Sequence, residues 1–220
     1  RRFGNSGGDS PLGNLVAEAM QYRAGIETDF ALTNSLGIRT DIQGPGSGES
    51  KHVVTVEELF NVLPFDNTIT TMFLSGGEVQ ELFDYVAYRS AGRGCGTQAQ
   101  IASARFVMDC ANEVAVDVTV GGSWAPCLSD DECAIPGEIC SAGACGRAIE
   151  PSESYELATN NFIAGGGSGF QVLENNTTQQ DSGISMRDAV EFYLLQASEG
   201  GTIAIDALYP DGDGRITPRL

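Results

Sequence analysis

Residues 165–169 read Gly-Gly-Gly-Ser-Gly and follow a strand-like run from Tyr155 to Thr159. Clustered glycines let backbone approach a ligand closely or supply φ > 0. The competing reading is a tight structural turn. No Lys follows them, so this is not a Walker loop. Arg39 follows Asn34-Ser35-Leu36-Gly37-Ile38. An Arg in such a strand-end loop either clamps a phosphate or carboxylate or pairs with a surface acid. Phe65, after Pro64, and Phe162, before the glycines, sit in loops outside any periodic stripe. Loop aromatics stack on planar ligands or join the core.

Other chemistries are excluded or reduced to turns. The single histidine, His52, cannot build a His-rich metal site. No G-x-S-x-G elbow precedes a helix, so a hydrolase triad is unsupported and His52 reads as a surface residue. Asp211-Gly212-Asp213-Gly214 starts like a calcium loop, but the chain ends at Leu220 before the twelfth-position Glu. It reads as a turn. Asn175 and Asn176 each begin an N-x-T pattern. The cysteines are Cys95, Cys110, Cys127, Cys133, Cys140 and Cys145. Their even number reads as disulfides; a structural zinc site is the alternative, although the spacing C-x5-C-x6-C-x4-C lacks C-x2-C knuckles. Disulfides imply an extracytoplasmic setting: secreted, periplasmic or cell-surface.

The elements that must carry these residues can be read from periodicity. Ser10 caps a helix from Pro11 to Ala24, with Leu12, Leu15, Val16, Ala19 and Met20 on one stripe. Phe30 to Thr33 is a buried strand ending at Asn34, and Gly44 to Gly48 is a loop. Thr55-Val56-Glu57-Glu58 and Ser75-Gly76-Gly77-Glu78 are capping boxes, each opening a helix. Pro64 ends the first, and Thr68 to Leu74 is a strand between them. Arg105 to Asp109 and Val114 to Val120 are strands, the second with Val114, Val116, Val118 and Val120 on one face. Between 121 and 147 the periodicity fails and four cysteines appear, predicting an inserted knob held by cross-links. Ser185 caps a last helix from Met186 to Gln196. Strands and helices mix without a regular βαβ repeat, which predicts an α+β fold of layers rather than a doubly wound sheet.

The 220 residues suggest one large domain or one core plus something extra. Twelve basic against thirty acidic residues give a net charge of −18, which disfavours nucleic acid and anionic membrane surfaces. No apolar run reaches the ~18 residues that span a bilayer, so no membrane insertion is expected. The chain opens Arg1-Arg2-Phe3, without an initiator Met or signal peptide, and reads as a fragment of a longer polypeptide.

Several motifs in order resemble the 5'-nucleotidase C-terminal domain. Gly13-Asn14-Leu15 with Glu18-Ala19-Met20 is similar to that family's G-N-L…D-A-M. Asn34 through Gly37-Ile38-Arg39 resembles N-G-G-G-I-R, and Val62 to Thr68 resembles V-L-P-F-x-N-T. Asn161-Phe162-Ile163-Ala164 through Gly169-Phe170 is similar to N-F-L-A-x-G-G-D-G-F. Tyr209-Pro210 and Gly214-Arg215-Ile216 match the family's ending.

The resemblance implies a layered α/β domain with mixed sheets over 1–220, carrying the small disulfide-rich insert at 121–147. It implies the nucleotide-recognition half of a secreted 5'-nucleotidase-like phosphohydrolase, active in nucleotide breakdown. A separate N-terminal metallophosphoesterase domain with two divalent metal ions would hydrolyse the phosphoester, so no catalytic or metal-ligating residue is expected here. Phe65 and Phe162 would sandwich the nucleobase of a nucleotide or nucleoside. Arg39 would meet the phosphate end, Asn34 the base or ribose, and Arg2 would match a further arginine before the first helix. Gly166 and Gly167 would bring backbone amides to the ligand. Ser168 stands where the family has a ribose-binding Asp, Ser35 and Leu36 replace two glycines beside Arg39, and Glu18 replaces an Asp. These departures motivate the alternative, a non-catalytic extracytoplasmic binding or interaction module that kept the fold. By analogy with small secreted bacterial modules, Cys127 pairs with Cys140, Cys133 with Cys145, and Cys95 with Cys110.

Overall fold

The computed structural model describes residues 4, 7–23, 27–44, 52–197 and 212–220. Ser10 caps helix α1 (Pro11–Tyr22), its Oγ accepting the Gly13 N–H at 3.0 Å. The helix stops at Tyr22, and Ala24 lies outside the described residues. Strand β1 (Phe30–Asn34) follows. Helix α2 (Val56–Val62) opens on the Thr55–Glu58 capping box, and Val53 and Val54 before it form no strand. Strand β2 (Thr68–Ser75) runs straight into helix α3 (Gly76–Ala91) through the second capping box, where Glu78 N–H donates 3.3 Å to Ser75 Oγ. Three strands follow: β3 (Ala99–Ala102), β4 (Ala104–Asp109) and β5 (Val114–Val120). A hairpin, β6 (Glu138–Ser141) and β7 (Ala144–Arg147), occupies the cysteine-rich stretch. Strand β8 (Ser154–Asn160) leads into the one-turn helix α4 (Asn161–Ala164), then α5 (Gln171–Glu174). Strand β9 (Gln180–Ser185), helix α6 (Met186–Ala197) and strand β10 (Ile216–Arg219) complete the order.

The strands form a five-stranded mixed sheet, β3-β1-β8-β2-β9, a three-stranded sheet, β10-β4-β5, and the β6-β7 hairpin. Strand alternation sends Phe30, Leu32, Met72, Leu74, Ile101 and Leu157 to one face of the large sheet. There they meet Val79, Leu82, Phe83 and Val86 of α3, whose far side covers Phe106 and Val118 of the small sheet. Ala31, Ile69, Ala102 and Ala158 point the other way, into a second core built with α1, α2 and α6. Two apolar faces on one sheet require cover on both sides. The result is a helix layer, the large sheet, α3 and the small sheet, a mixed α/β layering of the kind expected.

The valine face of β5 is interrupted. Arg105 pairs with Thr119, but Val107 pairs with Val116, so β5 carries one extra residue. Asp117 takes φ 54° at that point. This β-bulge shifts the parity, so Ala115, Val118 and Val120 are buried while Val114 and Val116 are half-buried. A bulge cannot be read from alternation, because the valines still alternate in sequence.

The chain ends are latched to α1. Asp9 accepts the Asn14 side-chain N–H at 2.7 Å and the Asp213 N–H at 2.9 Å. Arg215 is buried, donates from Nε to Asp213 Oδ2 at 2.8 Å and pairs with Glu18. Glu18 thereby holds β10 to α1, and it also accepts the Tyr193 hydroxyl at 3.0 Å.

All six cysteines are paired: Cys95–Cys110, Cys127–Cys140 and Cys133–Cys145, the pairs set out above. The Sγ atoms of Cys127, Cys133 and Cys145 lie within 4.8 Å of one another. Their disulfides leave no thiolate to hold zinc.

Candidate functional site

Strands β1 and β8 run parallel and end side by side, at Asn34 and Asn160. The edge beyond the carboxyl ends of neighbouring parallel strands is where α/β sheets bind ligands. A small open cleft lies here, lined by Asn34, Gly37, Phe65, Asn67, Asn160 and Met186 among others.

Asn160 organises the floor. Its Nδ2 donates to Asn34 Oδ1 at 3.0 Å and to Thr33 Oγ1 at 3.1 Å. Its Oδ1 caps α4 by accepting the Ile163 N–H at 3.0 Å. One buried side chain thus joins both strand ends to the turn that carries Phe162. The Asn34 amide lies over Gly37, where a Cβ would come within 3.1 Å of Oδ1 and 3.3 Å of Nδ2. Any larger residue at 37 would crowd this amide.

Phe65 forms one wall and is 50% exposed. The turn that presents it is held by Arg187, at the start of α6. Arg187 Nη1 donates to the carbonyls of Leu63 and Phe65, each at 2.8 Å, and its guanidinium pairs with Asp66. Its Cζ also sits 4.2 Å from the Phe60 ring centroid. Arg39 flanks the same wall, with Cζ 5.9 Å from the Phe65 centroid, inside cation–π range. Its N–H donates to Val62 O at 2.8 Å and its Nη1 to Leu36 O at 3.1 Å, which ties the Arg39 loop to α2.

Phe162 lies in the single turn of α4 rather than in a loop, and is 49% exposed. Gly167 packs against it: a Cβ there would fall 2.4 Å from the Phe162 carbonyl oxygen and 2.7 Å from its ring. Only a glycine fits. Ser168 adopts φ 57°, a left-handed conformation that costs a non-glycine residue energy. The Tyr85 hydroxyl donates to its carbonyl at 2.9 Å and fixes the turn from α3. Among the described residues, Phe162 and Gly166–Ser168 stand outside the cleft lining; Asn160 links them to it.

The structure therefore places Asn34 and Phe65 in one cleft lining, with Arg39 against Phe65, and joins the turn that carries Phe162 to the cleft through Asn160. Arg2 lies outside the described residues. Ser35 is buried, and its Oγ accepts the Gln100 side-chain N–H at 3.1 Å; neither Ser35 nor Leu36 lines the cleft. His52 lies 2.7 Å from Glu58, the capping-box acid of α2. Glu58 is held below the usual carboxylate range, first by the Thr55 backbone N–H and also by His52. This pair belongs to a helix start and not to the cleft. Sequence reading missed Asn160 and Arg187. Asn160 carried one signal, as the polar residue before a short helical run; Arg187 carried none, being one of several charges on a surface helix.

Three comparisons bear on this geometry. The family described as 5'-nucleotidase, C-terminal domain matches residues 1–175. The chain is 26% identical over 215 residues to snake venom 5'-nucleotidase of Gloydius brevicauda, covering 93% of this chain and 32% of that protein. It is 25% identical over 218 residues to the 5'-nucleotidase of Homo sapiens, covering 93% and 33%. The 5'-nucleotidase precursor from Thermus thermophilus shares the fold, with TM-score 0.68 and 24% identity, over 96% of this chain and 36% of that one. The chain thus spans about a third of the length of the curated relatives it matches. Matched over more than half its length, the chain belongs to the 5'-nucleotidase C-terminal domain family.

Proposed function

We propose that this chain is the nucleotide-recognition domain of a larger, extracytoplasmic 5'-nucleotidase-like phosphohydrolase. The domain extends over 1–220, and the disulfide-stapled unit at 121–147 is an insert within it. The observation that supports this reading is the half-exposed Phe65 in the wall of the cleft that Asn34 and Asn160 line, with the half-exposed Phe162 on the turn that Asn160 caps. An aromatic pair grips the π face that every nucleobase offers. The cleft is open on its outer side, so the base is held there with the phosphate end projecting outward. Arg39, beside Phe65, supplies a cation to that end despite the −18 background. Ser168 offers the ribose a hydroxyl, a weaker partner than a carboxylate. Gly166 and Gly167 bring backbone close to the bound nucleoside. Arg2, outside the described residues, is the second cation that the family pattern assigns to the ligand.

Hydrolysis belongs to sequence outside this chain. Among the described residues, the clustered sulfurs are locked in disulfides and the histidine pairs with the capping acid of α2. An N-terminal metallophosphoesterase domain holding two such ions would perform the step on the projecting phosphate. The names of the venom and human relatives, both 5'-nucleotidases, support this division. Three disulfides support an oxidising compartment, and among the described residues no helix is long and apolar enough to cross a membrane.

The test is a phosphate-release assay with AMP, run on this chain and on the longer protein that contains it. The chain alone should release nothing; the longer protein should release phosphate, lose that activity in chelator and regain it with divalent cation. A longer protein that binds AMP but never cleaves it would favour the non-catalytic alternative.

A further inference from the structure

The Asn34 amide has a fixed polarity, and a backbone group sets it. The Ile163 N–H can only donate, so the Asn160 atom 3.0 Å from it is the oxygen. The other Asn160 amide atom is then the nitrogen, which donates to Thr33 Oγ1 and to Asn34. The Asn34 atom that receives this bond, at 3.0 Å, is its oxygen. Asn34 Nδ2 remains as the donor available to the cleft. Among the described residues none accepts from it, and it is not sealed from solvent. Gly37 leaves the amide this space, because a Cβ there would meet Asn34 Oδ1 at 3.1 Å and Nδ2 at 3.3 Å.

We propose that Asn160 is a positioning residue that presents Asn34 to the cleft as a hydrogen-bond donor, so that the site favours a nucleobase edge that turns an acceptor lone pair toward it, such as a purine ring nitrogen. This rests on the nucleoside reading given above. Stacking on phenylalanine tolerates any base. A donor of fixed polarity adds discrimination, since a ligand atom without a lone pair would leave Nδ2 desolvated and unpaired. Asn34 alone could rotate to suit either kind of ligand; tied to Asn160, it cannot.

The experiment is titration calorimetry of the 220-residue chain with adenosine and with its 1-deaza, 3-deaza and 7-deaza analogues, each lacking one ring lone pair. One analogue should bind about tenfold more weakly than adenosine, the loss expected for one unpaired donor, and the other two within about twofold. Asn160→Asp then reverses the polarity. The new carboxylate still accepts the Ile163 N–H and caps α4, but it offers Asn34 an acceptor. Asn34 turns its nitrogen to that carboxylate and its oxygen to the cleft. Adenosine binding should fall about tenfold in this variant, and the penalised analogue should bind as well as adenosine. A purely structural role for Asn160 would change all four ligands alike. Equal binding of all four to the wild-type chain, a comparison that needs no variant, would overturn the proposal while leaving the nucleoside reading intact. So would unchanged discrimination in a folded Asn160→Asp. Failure of the wild-type chain to bind any of them at millimolar concentration would remove the nucleoside reading itself, and this proposal with it.

Discussion

Phe65 and Phe162 leave about half their surface in water. Neither ring belongs to either core, so truncating them removes little packing. Phe65→Ala and Phe162→Ala should each weaken nucleoside binding by about 1–3 kcal/mol, the range for one base–aromatic stack. Thermal unfolding of both variants should stay within a few degrees of wild type; a large fall would place the rings in the core instead. Gly167→Ala is the converse case. It leaves both rings in place but drives a methyl into the Phe162 ring and carbonyl, and it should lower nucleoside affinity by displacing Phe162. These residues were legible because they break pattern: aromatics in turns, glycines in a run. Asn160 and Arg187 were not. Their partners lie 126 and 122 residues away, at Asn34 and Phe65, and nothing local marks the connection.

At the scale of elements, the cleft depends on turns pinned from a distance. Arg187→Ala should release the Leu63–Phe65 turn from α6. Bonds to a charged donor are worth about 1.5–3 kcal/mol, so urea unfolding should show a loss of that order together with weaker nucleoside binding. The β4–β5 turn offers a test by pH. The Asn112 side chain, Arg219 and the Asn112 N–H hold the Asp109 carboxyl down to about 2, from 3.8. A carboxyl lowered in the folded state contributes stability that is fully present above its unfolded value and is lost as pH falls through the folded one. The stability advantage of wild type over Asp109→Asn should therefore be constant above pH ~4 and shrink toward pH ~2 in urea titrations. Capped helices and apolar strands were readable because each signal is local: a Ser or Thr followed by Glu, or a run such as Phe30 to Leu32. The Asp117 bulge, the four-residue β3 and the polar β9 were not. Their pairing is decided by the neighbouring strand rather than by their own residues.

Across the whole molecule, the cleft and the disulfide-stapled hairpin belong to different sheets. The cleft sits at an edge of the large sheet, whereas the β6-β7 hairpin packs on β5 of the small one, with Ser141 Oγ donating to Asp117 O at 2.5 Å. Disulfides that close loops of this length each stabilise by about 3 kcal/mol in the chain-entropy view. Replacing Cys127 and Cys140 together by Ala should raise hydrogen exchange across 121–147 and leave nucleoside affinity unchanged. Affinity that fell in step would tie the hairpin to the site. Where the base sits can be seen in a crystal structure of this chain grown with adenosine at millimolar concentration. The base should lie between the Phe65 and Phe162 rings, with the Asn34 amide at its edge and the ribose 5′ end turned toward Arg39. Adenosine bound elsewhere, with both rings left in solvent, would rule out this cleft as the nucleoside site.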